Sequence, residues 1–489
     1  MKNLIKTTII FTVVCISILT LNSCKKDFLE EEPRVQTIDD YFTTSNQAAR
    51  EMVNAIYNKL YDWNVHSFPF IGMTEIAGDN TSKGSDAGDT GGDKDQLDGY
   101  FFSPTSISFG DVWSGYFEAI ARANKAIKYV EELDIPQASK TQYIAEARFL
   151  RGYFYFFLVR SFGGVPLIDK VPITEEEIAN TYVRATVDEI YDLIESDFQF
   201  ATQLPAKQLI DLGRASGDAA VAMLAKVAMY RQNWGLCANY CSSLINSGEY
   251  NLMQDYSHIW REIGEFSEES IWEINSKGTD PQKGILQYYV VQAPRGGAKG
   301  LGWGFNTPTQ DFYNAYENGD LRRDASIITS GQTLWDGWET DAGHSNPLYN
   351  YKSYVSKIAE SWGQGDVNAN KNLRIIRFAE ILLIAAESAN ELGDQAIACD
   401  YLNQVRNRAG LTNFSSADAD SVRTAIWKER RFELAFEHDR VFDLRRQGRI
   451  GEVMRANNIN FIDGKHELYP IPQRQVDLSE GKMQQNPGY

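Results

Sequence analysis

The feature that most constrains this chain is a helical hairpin pattern that occurs twice. Leu224, Ala228, Gly235, Ala238, Cys241 and Leu244 recur, 158 residues on, as Leu382, Ala386, Gly393, Ala396, Cys399 and Leu402. Small residues on facing helices let two backbones approach, and a turn at glycine joins them, as in a tetratricopeptide helix pair. Helical periodicity also runs through 46–61, 113–133, 142–162, 186–203, 216–231, 235–247, 373–392, 395–409 and 419–448. The helix over 142–162 is unusually aromatic and stops at Gly163-Gly164, with Pro166 beyond. These segments predict an all-α fold of tetratricopeptide-like hairpins, an αα superhelix.

Two stretches break the rule. Residues 62–110 are rich in Gly, Asp, Ser and Thr, and 277–372 are rich in Gly, Asn and aromatics. Loops of this length in a compact body are functional or disordered, and interleaved Trp and Tyr argue against disorder. The second stretch makes the C-terminal half loop-rich with few short strands, of which 270–274 is one.

The N-terminus adds a different signal. Lys2 and Lys6 precede an uncharged, mostly apolar run at 7–21. The run is too short for a bilayer span of about 20 residues, and it fits a signal-peptide core. It ends in Leu21-Asn22-Ser23-Cys24, which resembles a bacterial lipobox. Residues 1–23 are therefore read as a signal peptide and Cys24 as a lipidated N-terminal residue, palmitate among its acyl chains. Residues 24–40 are read as a tether and 41–489 as a single body. Multiple acyl chains give the durable anchoring that one chain does not. Only Cys237, Cys241 and Cys399 remain in the body, which is no disulfide framework.

Chemistry-bearing motifs are scarce. The five histidines form no HExxH pair, and there is no G-x-S-x-G elbow or Walker A loop. The Gly-rich run 296–304 lacks dinucleotide-binding spacing and reads as a pliable loop presenting Trp303. Asp86, Asp89, Asp93, Asp95 and Asp98 offer the oxygen donors that Ca²⁺ takes, without EF-hand spacing. A solvated acidic loop is the favoured reading, with no cofactor. Glu429, Glu433 and Glu437 alternate with arginines over 428–446 and predict a structural ion network. A net charge of −18 disfavours nucleic acid as a partner.

Taken in order, several strings resemble one family. They are Cys24 with DFLE at 27–30, IARAN at 120–124, EARFLRGY at 146–153, VRSFGGVPL at 159–167 and GRA at 213–215. RFAEILL at 377–383, NQVRNRAGL at 403–411, ERRFEL at 429–434, LYPIP at 468–472 and QNPGY at 485–489 follow. Together they are similar to the SusD/RagB family of Bacteroidetes nutrient-binding lipoproteins. The resemblance implies a non-enzymatic, surface-exposed, lipid-anchored protein of the outer membrane. It also implies an oligosaccharide ligand and a SusC-like TonB-dependent transporter as partner, for polysaccharide utilisation.

Ligand residues are chosen on physics. A sugar's C–H face packs on an aromatic ring, and its hydroxyls need amide or carboxylate partners. Trp63, Trp303, Trp335, Trp338 and Trp362 lie in the irregular stretches, and Asp79, Asn80 and Asn306 supply polar groups there. A peptide-binding surface module and a surface glycan hydrolase are the alternatives. The second needs two converging carboxylates.

Overall fold

A computed structural model describes residues 45–86, 88–89, 91–277, 288–295, 301–341, 346–360 and 370–489. The signal peptide, Cys24, the tether and Trp362 lie outside the described residues, as do residues 296–300 of the Gly-rich run.

Helix α1 (Asn46–Tyr57) begins at Ser45, whose hydroxyl caps the Ala48 N–H. It packs on a long antiparallel pair, α2 (Ile107–Glu132) and α3 (Gln137–Phe162). From Phe149 to Val159 every side chain of α3 is buried, so this helix is the axis of the body. It ends where Gly163 takes a positive φ of 74°. Helix α4 (Val187–Ala201) covers its other side and starts at a capping box of Thr186 and Glu189.

The two hairpins read from sequence are α5–α6 (Gly217–Tyr230 and Trp234–Asn246) and α7–α8 (Phe378–Glu391 and Gln395–Arg408). They stack directly, α6 against α7. Their caps, Asn233 and Asp394, are 161 residues apart, so the sequence alignment slipped by three positions. A three-residue slip is close to one helical turn and keeps the same face apolar, so the identities survived it. Leu224, Cys241, Leu382 and Leu402 are buried as expected, but Gly235 and Ala396 are exposed. Helix α9 (Ala419–Glu433) closes the stack on α7.

Two helices are shorter than their periodicity suggested. The 419–448 pattern breaks after Glu433 in a turn with Phe436 at φ 62° and His438 at φ 71°, and resumes as α10 (Arg440–Arg446). The 373–392 pattern starts as a strand. Among the described residues there are six short strands, β1 (Thr81–Gly84), β2 (Ser270–Ile274), β3 (Phe305–Pro308), β4 (Ile327–Thr329), β5 (Leu348–Asn350) and β6 (Leu373–Arg377). They form three antiparallel pairs, β1–β3, β2–β6 and β4–β5. β2 is buried on both faces, so it reads as a continuous run with no alternation.

Segment 62–110 is not an open loop. It contains short helices at Trp63–His66, Phe68–Ile71 and Gly92–Gly99, a π-turn at Gly72–Ile76, and β1. Its apolar residues, among them Phe70, Ile71, Met73 and Ile76, join the main core.

The predicted ion network is present and buried. Arg377 reaches Glu269 and Glu433 at 2.6 Å and Glu437 at 2.7 Å. Arg322 pairs with Asp320 at 2.7 Å, Glu429 at 2.6 Å and Glu433 at 3.1 Å. Burial pushes the Glu433 carboxyl upward, but Arg408, Arg377 and Arg322 outweigh it and hold the group far below its usual range. This network joins α9 to β6, α8 and the helix Leu321–Ser326, which places the late irregular segment against the hairpin stack.

Candidate ligand-binding cleft

A cleft of about 940 Å³ opens where that late segment meets the scaffold. Its walls come from the 3₁₀ turn Tyr256–Trp260, the helix Leu321–Ser326 and the loop that follows β4. Its volume is within the usual range for small-molecule sites.

The loop after β4 is built to project one ring. Gln332 takes the Thr329 N–H at 2.9 Å, which folds the chain back. The Leu334 N–H donates to the Trp338 carbonyl at 2.7 Å, and the Gly337 N–H to the Leu334 carbonyl at 3.0 Å. Gly337 has a φ of 87°, a conformation that a Cβ disfavours. Leu334 is buried and Trp338 half-buried in one small cluster with Tyr349 and Tyr354. With both ends of the turn anchored, Trp335 points outward and is 37% exposed. It is the one exposed tryptophan among the described residues.

Further contacts hold that ring in place. The Trp335 main-chain N–H donates to the Tyr351 hydroxyl at 2.9 Å. Asp336 accepts from Tyr354 Oη at 2.6 Å and from the Ser356 hydroxyl. Burial raises the Asp336 carboxyl, yet those hydroxyls more than offset it and keep the group below its ordinary value. The guanidinium of Arg261 lies 4.4 Å from the Trp335 ring centroid, a cation–π distance.

The floor is rigid. Tyr256 donates its hydroxyl to the Glu433 carbonyl at 2.8 Å. Arg408 pairs with Glu269 at 2.9 Å and with Glu433, and sits 4.8 Å from the Tyr256 ring centroid. The buried ion network thus backs the cleft directly. His258 faces Asp255 at 3.5 Å on one wall. Such a surface can stack a flat ring and offer hydrogen bonds around it.

Of the described residues chosen from sequence, Trp335 alone lines this cleft. Trp338 anchors the turn from behind. Trp303 is half-buried against the main core, with its carbonyl accepting from Ser85 Oγ at 2.9 Å. Trp63 is half-buried and meets Phe68 edge-on at 6.2 Å.

The three polar choices are corrected outright, because protein groups already hold them in the interior. Asp79 receives Arg440 at 2.6 and 2.8 Å and Arg431 at 2.9 Å. Burial lifts its carboxyl, but Arg440 and Arg431 bring it down to about 2. Asn80 is buried, and its Oδ1 accepts from Arg431 Nε at 2.8 Å. Asn306 is fully buried and donates to Gln292 Oε1 at 2.7 Å. Sequence reasoning missed Arg261, Tyr351 and His258. Tyr351 lay in the right irregular segment, and nothing in the local pattern marked the other two.

The five aspartates of 86–98 do not converge. Asp86 and Asp89 both meet Arg295, Asp93 meets Lys94, Asp95 meets the Lys83 ammonium and Asp98 accepts the Lys83 N–H. No group of three or more metal-type side chains occurs among the described residues.

Comparisons with known proteins cover nearly the whole described chain. Residues 268–489 match the family model described as the SusD family, and 27–229 match one described as starch-binding, associating with the outer membrane. The SusD-like protein P25 of Formosa agariphila is 25% identical, with 94% of each chain covered. Among solved structures, surface glycan-binding protein A from Bacteroides fluxus has 29% identity and a TM-score of 0.76, covering 91% of this chain and all of that one. Surface glycan-binding protein A from Bacteroides thetaiotaomicron, in complex with laminarihexaose, has 26% identity and a TM-score of 0.77, covering 90% of this chain and 99% of that one. With its motifs in order, its hairpin scaffold and these matches over both halves, the chain belongs to the SusD/RagB family.

Proposed function

We propose that this protein captures a glycan at the bacterial surface by stacking a sugar ring on Trp335, and that it breaks no bond. In this reading it is anchored in the outer membrane through lipid on Cys24 and hands its ligand to a SusC-like TonB-dependent transporter. The carrying observation is the exposed indole, fixed at both ends of its turn, at the edge of a roomy cleft. The relatives named for glycan binding, one of them holding laminarihexaose, support the ligand class. The family description supports the location.

Calorimetry of the purified protein against a glycan panel tests the site. Trp335→Ala is expected to weaken binding at least tenfold, about 1.4 kcal/mol or more, with little change in melting temperature. Equal affinity in wild type and variant would remove the cleft as the binding site. A product assay on the bound glycan tests the absence of catalysis, and any cleavage at a meaningful rate would refute it.

A further inference from the structure

One arginine of the cleft, Arg261, forms no direct ion pair among the described residues and reaches the Asp255 carboxylate only through the Ser257 hydroxyl. Arg261 follows the Tyr256–Trp260 turn and lines the cleft beside Trp335. Its Nη2 donates to Ser257 Oγ at 3.2 Å. Among the described residues no carboxylate lies within ion-pair distance of it. The other arginine of the cleft differs. Arg408 is matched by Glu269 and Glu433.

The local geometry keeps the guanidinium available. The indole of Trp335 meets it at 4.4 Å from the ring centroid, and N–H groups other than the one given to Ser257 remain able to donate. The Arg261 main chain is held separately, its carbonyl accepting from Arg374 Nη2 at 3.0 Å. The side chain is therefore not what fixes the backbone here. A planar fork of donors matches a carboxylate or sulfate oxygen pair better than a single hydroxyl. The rim also carries Asp255, Glu268 and Asp324. Those carboxylates repel a densely charged polymer and tolerate a chain whose anions are widely spaced.

We propose that the ligand is an acidic oligosaccharide, bearing carboxylate or sulfate groups at intervals. One such group is bound by Arg261 while a ring of the same chain stacks on Trp335. The assignment rests on the cleft being the glycan site, and it adds the chemical class that the cleft selects.

Matched ligand pairs test it on the full mature chain by calorimetry. Uronate oligomers are compared with their carboxyl-reduced forms, and sulfated galactan oligomers with their desulfated forms. Laminarihexaose serves as a neutral standard. The expected result is at least tenfold tighter binding of the acidic member in one pair, and that pair tells carboxylate from sulfate. Arg261→Met, which keeps an apolar stem against the indole, is expected to bring the acidic member down to its neutral twin. In the same variant the neutral affinity falls by less than the acidic one. Arg261→Lys recovers part of the preference, and added salt weakens wild type more than Arg261→Met. Acidic and neutral twins binding equally, or an acidic preference that survives Arg261→Met, overturns the anionic subsite. If Trp335→Ala still abolishes binding in that case, the cleft stands as the glycan site. Affinities untouched by Trp335→Ala, or no binding by any pair, overturn the cleft and the subsite together.

Discussion

The two irregular segments, 62–110 and 277–372, look alike in sequence and behave differently in the fold. Both are rich in glycine and carry several aromatics. In the early segment, Asp79 and Asn80 are engaged by Arg440 and Arg431, and Glu75 receives the His438 N–H. The partners lie some 350 residues away in sequence and turn the segment into interior. The late segment carries an indole and, across the cleft wall, meets a guanidinium that forms no direct ion pair among the described residues. Irregular backbone is thus not a sign of an open binding loop. What decides is whether remote chain arrives to satisfy its polar groups.

That contrast can be broken most easily at Asp79. Replacing it with Ala leaves Arg440 and Arg431 without their buried counter-ion, which should cost about 3–5 kcal/mol in a urea titration. The variant's folded fraction should bind glycan as wild type does. Normal stability with lost binding would return the early segment to the ligand site.

Glu75 sharpens the same side through pH. Burial pushes its carboxyl up to about 8. Because the folded value lies above the unfolded one, its stabilising contribution is full below the ordinary carboxylate range. It is lost as pH rises through about 8. Between pH 5 and 8 wild type should lose on the order of 2 kcal/mol relative to Glu75→Gln. Parallel pH profiles for the two proteins would show that the group is not held neutral.

The smallest effect belongs to the open side. Tyr351→Phe removes the hydroxyl that accepts the main-chain N–H of Trp335. Glycan affinity should fall two- to fivefold, roughly 0.5–1 kcal/mol, with an unchanged denaturation midpoint. A loss of stability instead would make Tyr351 a core residue and not a positioner of the indole.

Much of the scaffold was legible because helices write their burial at a period of 3.6 residues, and a slip of nearly one turn leaves that pattern intact. The ion network was legible too, since Glu429 and Glu433 fall one turn apart beside arginines. The break after Glu433 was not, because nothing local announces left-handed Phe436 and His438. Strand β6 was hidden in an apolar run continuous with α7. Composition favoured Trp335, but it could not separate an exposed tryptophan from the half-buried Trp338 three positions on. Arg261 became visible only when the fold brought 256–261 against 332–335.

The small sheets set a condition on how the chain matures. β1 finds its partner more than 200 residues downstream, and Lys226 its counter-ions at Glu380 and Asp439. Closing such distant contacts is slow, and a polypeptide emerging from its N-terminus must pass its midpoint before the first is made and reach its last third before the second. A cut placed between the two family-matched stretches would accordingly yield two aggregation-prone fragments, each missing the half that completes it.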